Sequence, residues 1–160
     1  MFPTKNDLPQ ASRTKLVELL DARLADAIDL HTQLKQAHWN VKGPSFIALH
    51  ELFDKVNDEV LDYVDDIAER VVQLGGTAHG TARATAKRST LPEYPADAAS
   101  GRAHVEAVSG ALAHFGKAVR QAIDAATELR DADTADLFTE VSRGVDKWLW
   151  FVEAHLHAND

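Results

Sequence analysis

An all-α fold, four long helices joined by two short links and one long crossover, is predicted by three features of the 160-residue sequence. Apolar residues recur at spacings of three and four along four separate stretches, the period of helices that bury one face. The breaks between stretches are short except one, about residues 77–100, which contains Pro92 and Pro95. No stretch alternates apolar and polar residues in the manner of a half-buried strand.

The first helix is expected over about 12–39, with Ser12 as N-cap and Leu16, Leu20, Leu24, Ile28 and Leu34 on its buried side. Gly43-Pro44 separates it from a second helix over about 45–74. That helix carries the stripe Leu49, Phe53, Val56, Val60, Val64, Ile67, Val71 and Leu74, and Gly75-Gly76 stops it. Within the crossover, residues 91–94 are expected to dock on the bundle. A third helix carries Val105, Val108, Leu112, Phe115, Val119, Ile123 and Ala126. A break at 130–133 leads to a fourth, with Leu137, Val141, Val145, Trp148, Val152 and Leu156. Short outer links around a long middle crossover match a ferritin-like four-helix bundle. The expected organisation is a short tail over 1–11 and one domain over 12–157, without internal repeat.

The composition narrows the function. The net charge is −8 and there is no cysteine, so disulfides, thiolate metal sites and cysteine nucleophiles are excluded. No apolar run approaches the ~20 residues of a membrane span. The first ten residues are polar and lack the apolar core of a signal peptide. A cytoplasmic protein with no membrane partner is expected. An acidic surface repels DNA phosphate unless basic residues are segregated, and it attracts cations.

The chemistry-bearing residues cluster on the second helix. His50 and Asp54 are four apart, as are Asp65 and Glu69, so each pair shares a helix face. The outermost two, His50 and Glu69, are roughly 28 Å apart along the helix and cannot share one metal within one chain. Their numbers, however, add to the same total as those of Asp54 and Asp65. Two antiparallel copies of this helix, related by a two-fold between Glu59 and Val60, would bring His50 and Asp54 opposite Glu69 and Asp65. Carboxylates opposite an apolar stripe usually mark a solvated face. Here the same sector also holds Ile47, Leu61, Ala68 and Val72, and Ile47 and Val72 obey the same two-fold. The sector therefore reads as a second buried face, where charged groups need a partner such as a metal ion.

Other candidates stand beside this set. His38, with Trp39 next to it, ends the first helix and can reach the same dimer site, although a lone His there more often caps or packs. Asp58 and Asp62 read as solvent-facing or auxiliary cation sites. Asp131, Asp133 and Asp136 read first as a helix start, where acids are favoured. Trp148 and Trp150 read as packing residues. No Glu is followed three residues later by His, so the motif of an intrasubunit di-iron bundle is absent.

The run Ala37-His-Trp-Asn-Val-Lys-Gly-Pro-Ser-Phe-Ile-Ala-Leu-His-Glu-Leu-Phe-Asp54 closely resembles the signature of Dps proteins, the mini-ferritins of starved bacterial cells. The runs Ala68-Glu-Arg-Val-Val-Gln-Leu-Gly-Gly76, Thr134-Ala-Asp-Leu-Phe and Asp146-Lys-Trp-Leu-Trp-Phe extend the likeness. The resemblance implies a short helix in the crossover and a hollow dodecamer built from two-fold dimers. It implies ferroxidase centres at the dimer interfaces, with iron as Fe(II) and Fe(III) and hydrogen peroxide as preferred oxidant. His38, His50 and Asp54 would come from one subunit, and Asp65 and Glu69 from its mate. Trp39 would lie beside the site, and Asp136 would line an iron-entry pore. Zinc could occupy the same nitrogen and oxygen ligands.

Many members bind DNA through a lysine-rich N-terminal tail, which would make them nucleoid-associated. Here only Lys5 and Arg13 precede Lys15, and residues 157–160 contain no lysine. DNA binding is therefore expected to be weak. The expected function is an iron-storing ferroxidase. The alternatives are a DNA-protecting structural protein and a non-catalytic helical oligomer.

Overall fold

The computed structural model describes residues 1–157; positions 158–160, part of the lysine-free C-terminus, lie outside the described residues. Four long helices and one short one follow in order: α1 Gln10–Asn40, α2 Phe46–Gln73, α3 Ala82–Arg88, α4 Gly101–Glu128 and α5 Ala132–Glu153. α1 packs mainly on α2 and α4 mainly on α5, and the two hairpins meet through α1 with α4 and α2 with α5. The short helix α3 sits in the crossover and rests on α1.

The predicted stripes form the core, except that Ile28, Val64, Ile123, Leu137 and Leu156 are only partly buried at its edge. On α5 it is Phe138 that is fully buried, and Leu137 only partly. Phe138 keeps the three–four spacing to Val141, Val145, Trp148 and Val152, whereas Leu137 is one residue off that seam. For the same reason Leu30 is buried on α1 while Ile28 is half-buried, and Val64 and Ile123 flank the core of α2 and α4. Ser12 is not the cap of α1. The helix starts earlier, with Pro9 as N-cap and its carbonyl accepting the first helical hydrogen bond from the Arg13 N–H at 3.0 Å. Pro9 has no N–H to leave unsatisfied there, so the start costs little.

The stop after α2 is as predicted. Gly75 takes φ +85°, the left-handed conformation that a side chain rarely adopts, and its N–H closes on the Val72 carbonyl. The N-terminal segment lies over this helix end. The Phe2 N–H donates to the Gly75 carbonyl, and the Arg13 guanidinium donates to the Leu74 carbonyl at 3.1 Å.

Three aspartates of α1 fasten the crossover, a role that sequence reasoning missed. Asp21 accepts from the backbone and ring of His79, Asp26 from the backbone N–H and hydroxyl of Thr90, and Asp29 from the Ser89 hydroxyl. Asp21 and Asp26 are buried, and ordinary helix periodicity gives no sign of it. Residues 91–94 dock as expected: the Pro92 carbonyl accepts from Gln33, and Leu91 and Tyr94 cover the core.

Candidate metal centre

The α1–α2 hairpin builds the site. Gly43, at φ +109°, lets the chain reverse within a few residues, and the Phe46 N–H closes the turn on the Gly43 carbonyl at 3.0 Å. The last turn of α1 is thereby set against the first turns of α2. His38 and His50 face each other with ring centroids 3.7 Å apart and planes 22° apart.

Their hydrogen bonds are reciprocal. His38 Nδ1 donates to the His50 carbonyl at 2.8 Å, and His50 Nδ1 donates to the His38 carbonyl at 2.9 Å. A carbonyl can only accept, so each Nδ1 carries a hydrogen. In the neutral rings the lone pair is left on each Nε2, in the tautomer and orientation that a metal-binding imidazole needs. Asp54, one turn after His50, completes the group with Oδ1 3.8 Å from His38 Nδ1.

Sequence reasoning missed Lys35. Its Nζ lies 2.6 Å from Asp54 Oδ1, and this hydrogen bond is the main reason that the Asp54 carboxyl sits below its usual pKa. The signal was available: Lys35 is three residues before His38, on the same helix face. Trp39 is 67% exposed, with the Lys35 ammonium 6.0 Å from its ring.

Within one chain Asp65 and Glu69 do not join this group. Both are exposed, further along α2, and Asp65 lies roughly 16 Å from Asp54 by helical rise. Asp65 and Asp58 open on an acidic hollow with Asp62, Asp66 and Glu140. Glu69 and Asp136 line a second hollow with Asp66, Asp133 and Glu140. Among the described residues no group of three or more His, Asp or Glu side chains converges on a metal-sized gap. The apolar residues that share this sector, Ile47, Leu61 and Val72, are 61%, 42% and 58% exposed in the single chain. Of the two tryptophans read as packing residues, Trp148 is buried and donates to Glu59 at 2.8 Å, while Trp150 is 65% exposed.

A ferritin-like domain model matches residues 17–159. The chain is 46% identical over 153 residues to the DNA protection during starvation protein of Agrobacterium fabrum, a match spanning 96% of this chain and 94% of that relative. The chain belongs to the Dps family of the ferritin-like superfamily. The likeness to Dps extends to the fold. Mycobacterium smegmatis Dps, at 32% identity, superposes with a TM-score of 0.93 over 99% of this chain and 96% of that one. DpsA14 of Streptomyces coelicolor, at 36% identity, gives 0.92 over 98% and 92%. A relative with another description, the fine tangled pili major subunit of Haemophilus ducreyi, is 37% identical over 88% of this chain and 74% of its own length. The Dps likeness and the short helix in the crossover, both expected from the motifs, are thus borne out.

Proposed function

We propose that this protein oxidises Fe(II), preferably with hydrogen peroxide, at centres shared between two-fold-related subunits of a dodecameric cage that stores the Fe(III) mineral. The observation that carries the reading is the reciprocal locking of His38 and His50, which leaves the Nε2 of each ring unused by these bonds on a hairpin that also carries the Asp54 carboxylate. Nitrogen and carboxylate oxygen suit Fe(II), a cation of borderline hardness. Asp65 and Glu69 of the two-fold mate supply the remaining carboxylates. Two Fe(II) give one electron each to a peroxide, which takes up two protons and leaves as two waters. The paired ligands position the iron, and the acidic hollows around Asp58 and Asp136 concentrate it. Lys35 neutralises Asp54 until the dication replaces its ammonium.

Stopped-flow oxidation of Fe(II) tests this reading. The rate should be much higher with hydrogen peroxide than with air, and equal rates would overturn the choice of oxidant. In the same experiment Asp136→Asn should slow oxidation at low Fe(II) by up to about tenfold, because it removes negative charge from the entry path. The defect should shrink as salt rises. A defect independent of salt would leave Asp136 as a helix-start residue only.

A second reading, protection of DNA, is favoured by the description that several relatives carry. Two observations weigh against a tail-mediated form of it. The Phe2 N–H is tied to the Gly75 carbonyl, and Arg13, one of the few basic residues there, spends its guanidinium on the Leu8 and Leu74 carbonyls. Affinity for DNA is expected to be weak at ~0.15 M salt, since each missing phosphate contact removes part of the counterion-release term. A gel shift showing tight binding at that salt would restore the structural reading.

A further inference from the structure

The chain has two tyrosines, and each has its hydroxyl 2.5 Å from a basic group: Tyr63 donates to Glu59 Oε1, and Tyr94 shares a hydrogen bond with His104 Nδ1. Their surroundings differ. Glu59 is fully engaged, accepting from Tyr63, Lys147 and Trp148 together. His104 is 1% exposed, and its Nε2, although the Asn40 backbone is close, makes no hydrogen bond of normal geometry. Burial lowers the pKa of His104 and raises that of Tyr94 to about 12, so the pair rests as neutral imidazole and neutral phenol. The phenol and imidazole planes are 25° apart with centroids at 6.1 Å. Tyr94 also lines the groove between α1 and the crossover that Trp39, the neighbour of His38, lines as well.

A phenol that loses an electron becomes strongly acidic, so its proton must leave at the same time. A base already at hydrogen-bond distance accepts that proton without rearrangement. We propose that Tyr94 is a one-electron donor that quenches hydroxyl radical entering this groove, with His104 as the acceptor of the phenolic proton.

The proposal rests on the iron-oxidising reading only for the source of the oxidant. A peroxide that meets a single Fe(II) is cleaved to hydroxide and hydroxyl radical, leaving Fe(III). The radical takes one electron from Tyr94 and becomes a second hydroxide. The phenolic O–H bond breaks, the proton moves to His104 Nδ1, and a phenoxyl radical and an imidazolium remain. A second Fe(II) returns the electron and becomes Fe(III), and the proton moves back to the phenoxyl oxygen. Both residues are restored, and one peroxide has oxidised two Fe(II) with no radical released.

Electron paramagnetic resonance on the assembled protein tests this in two arms. One arm adds peroxide to Fe(II)-loaded protein. The other generates azide radicals by pulse radiolysis without iron. A tyrosyl signal is expected in both, retained in Y63F and lost in Y94F. Exchange into D2O should change a hyperfine coupling from the proton now on His104, and H104Q should lose that coupling. Loss of the signal in Y63F but not in Y94F, or no tyrosyl signal in either arm, would overturn the proposal. Absence of the D2O-sensitive coupling in the wild type would overturn the role of His104 even where H104Q fails to fold. A Tyr94 signal in the radiolytic arm alone supports the donor pair and counts against the iron reading instead.

Discussion

Two inactive variants should regain Fe(II) oxidation when they share a dimer. His50→Ala/Asp54→Ala removes one half of the proposed centre, and Asp65→Ala/Glu69→Ala removes the other. Each variant alone should lose at least about 100-fold in rate, because even an outer-shell partner of a metal ligand is worth ~10–100-fold. In a mixed dimer one site collects both intact halves and the other both damaged halves. Co-assembly from a mixture of unfolded chains, followed by stopped-flow measurement, should therefore return a substantial share of wild-type activity. The physical reason is the length of α2: residues that lie roughly 28 Å apart on one helix meet only across an antiparallel pair. If folded mixed dimers recover nothing, the shared-site model fails. If either parent stays active, its ligands are misassigned.

Asp131→Ala should be the most damaging single change to stability, at about 3–5 kcal/mol, because it strands a buried guanidinium. Arg70 and Asp131 are both buried. Arg70 Nη2 reaches both carboxylate oxygens of Asp131, at 2.9 and 3.1 Å, while Arg70 Nε donates to the Thr134 hydroxyl at 3.0 Å. Asp131 is also the N-cap of α5, accepting from the backbone N–H and the hydroxyl of Thr134. The α2 end and the α5 start are thus held through one ion pair. Chemical denaturation at fixed subunit concentration measures the loss. Replacing both partners with apolar residues should cost much less than either single change, since no charge is then left buried. A double variant no more stable than Asp131→Ala would place the effect in the lost cap instead.

The same pair sets a dependence on pH. Burial works to raise the pKa of Asp131, but the hydroxyl and backbone N–H of Thr134 and the Arg70 guanidinium outweigh it and hold the group below its ordinary value. A depressed folded pKa means that the stabilisation is fully present above the unfolded value of about 3.9. It is lost as pH falls through the folded value. The acid limb of the stability profile should flatten in Asp131→Ala.

Much of this was legible in the sequence because it depends on period and local chemistry. A three–four spacing of apolar residues defines which helix face is buried, and the predicted stripes met in one core, with Ile28, Val64, Ile123, Leu137 and Leu156 at its edge. Gly75 marked the end of α2 because the left-handed residue that closes a helix is usually glycine. The proposed sharing of the centre between two subunits also rests on numbering, since an antiparallel pair of equal helices matches residues with a constant sum. The motif around His38, His50 and Asp54 was specific enough to indicate the family.

What the sequence could not determine were interactions between residues distant along the chain. Asp21, Asp26 and Asp29 look like any acids on a solvated helix, and only the returning crossover makes them anchors for His79, Thr90 and Ser89. Tyr94 and His104 are ten residues apart across an irregular segment, so no periodicity predicts their 2.5 Å contact. The exchange of Nδ1 hydrogen bonds between His38 and His50 requires two backbones at one distance, which only the folded hairpin supplies. Composition and period determined the bundle and nominated the ligands. Tertiary structure alone decided which nitrogen each imidazole presents and which charges are held away from water, because hydrogen bonds act over a few ångströms and depend on where the folded backbone places both partners.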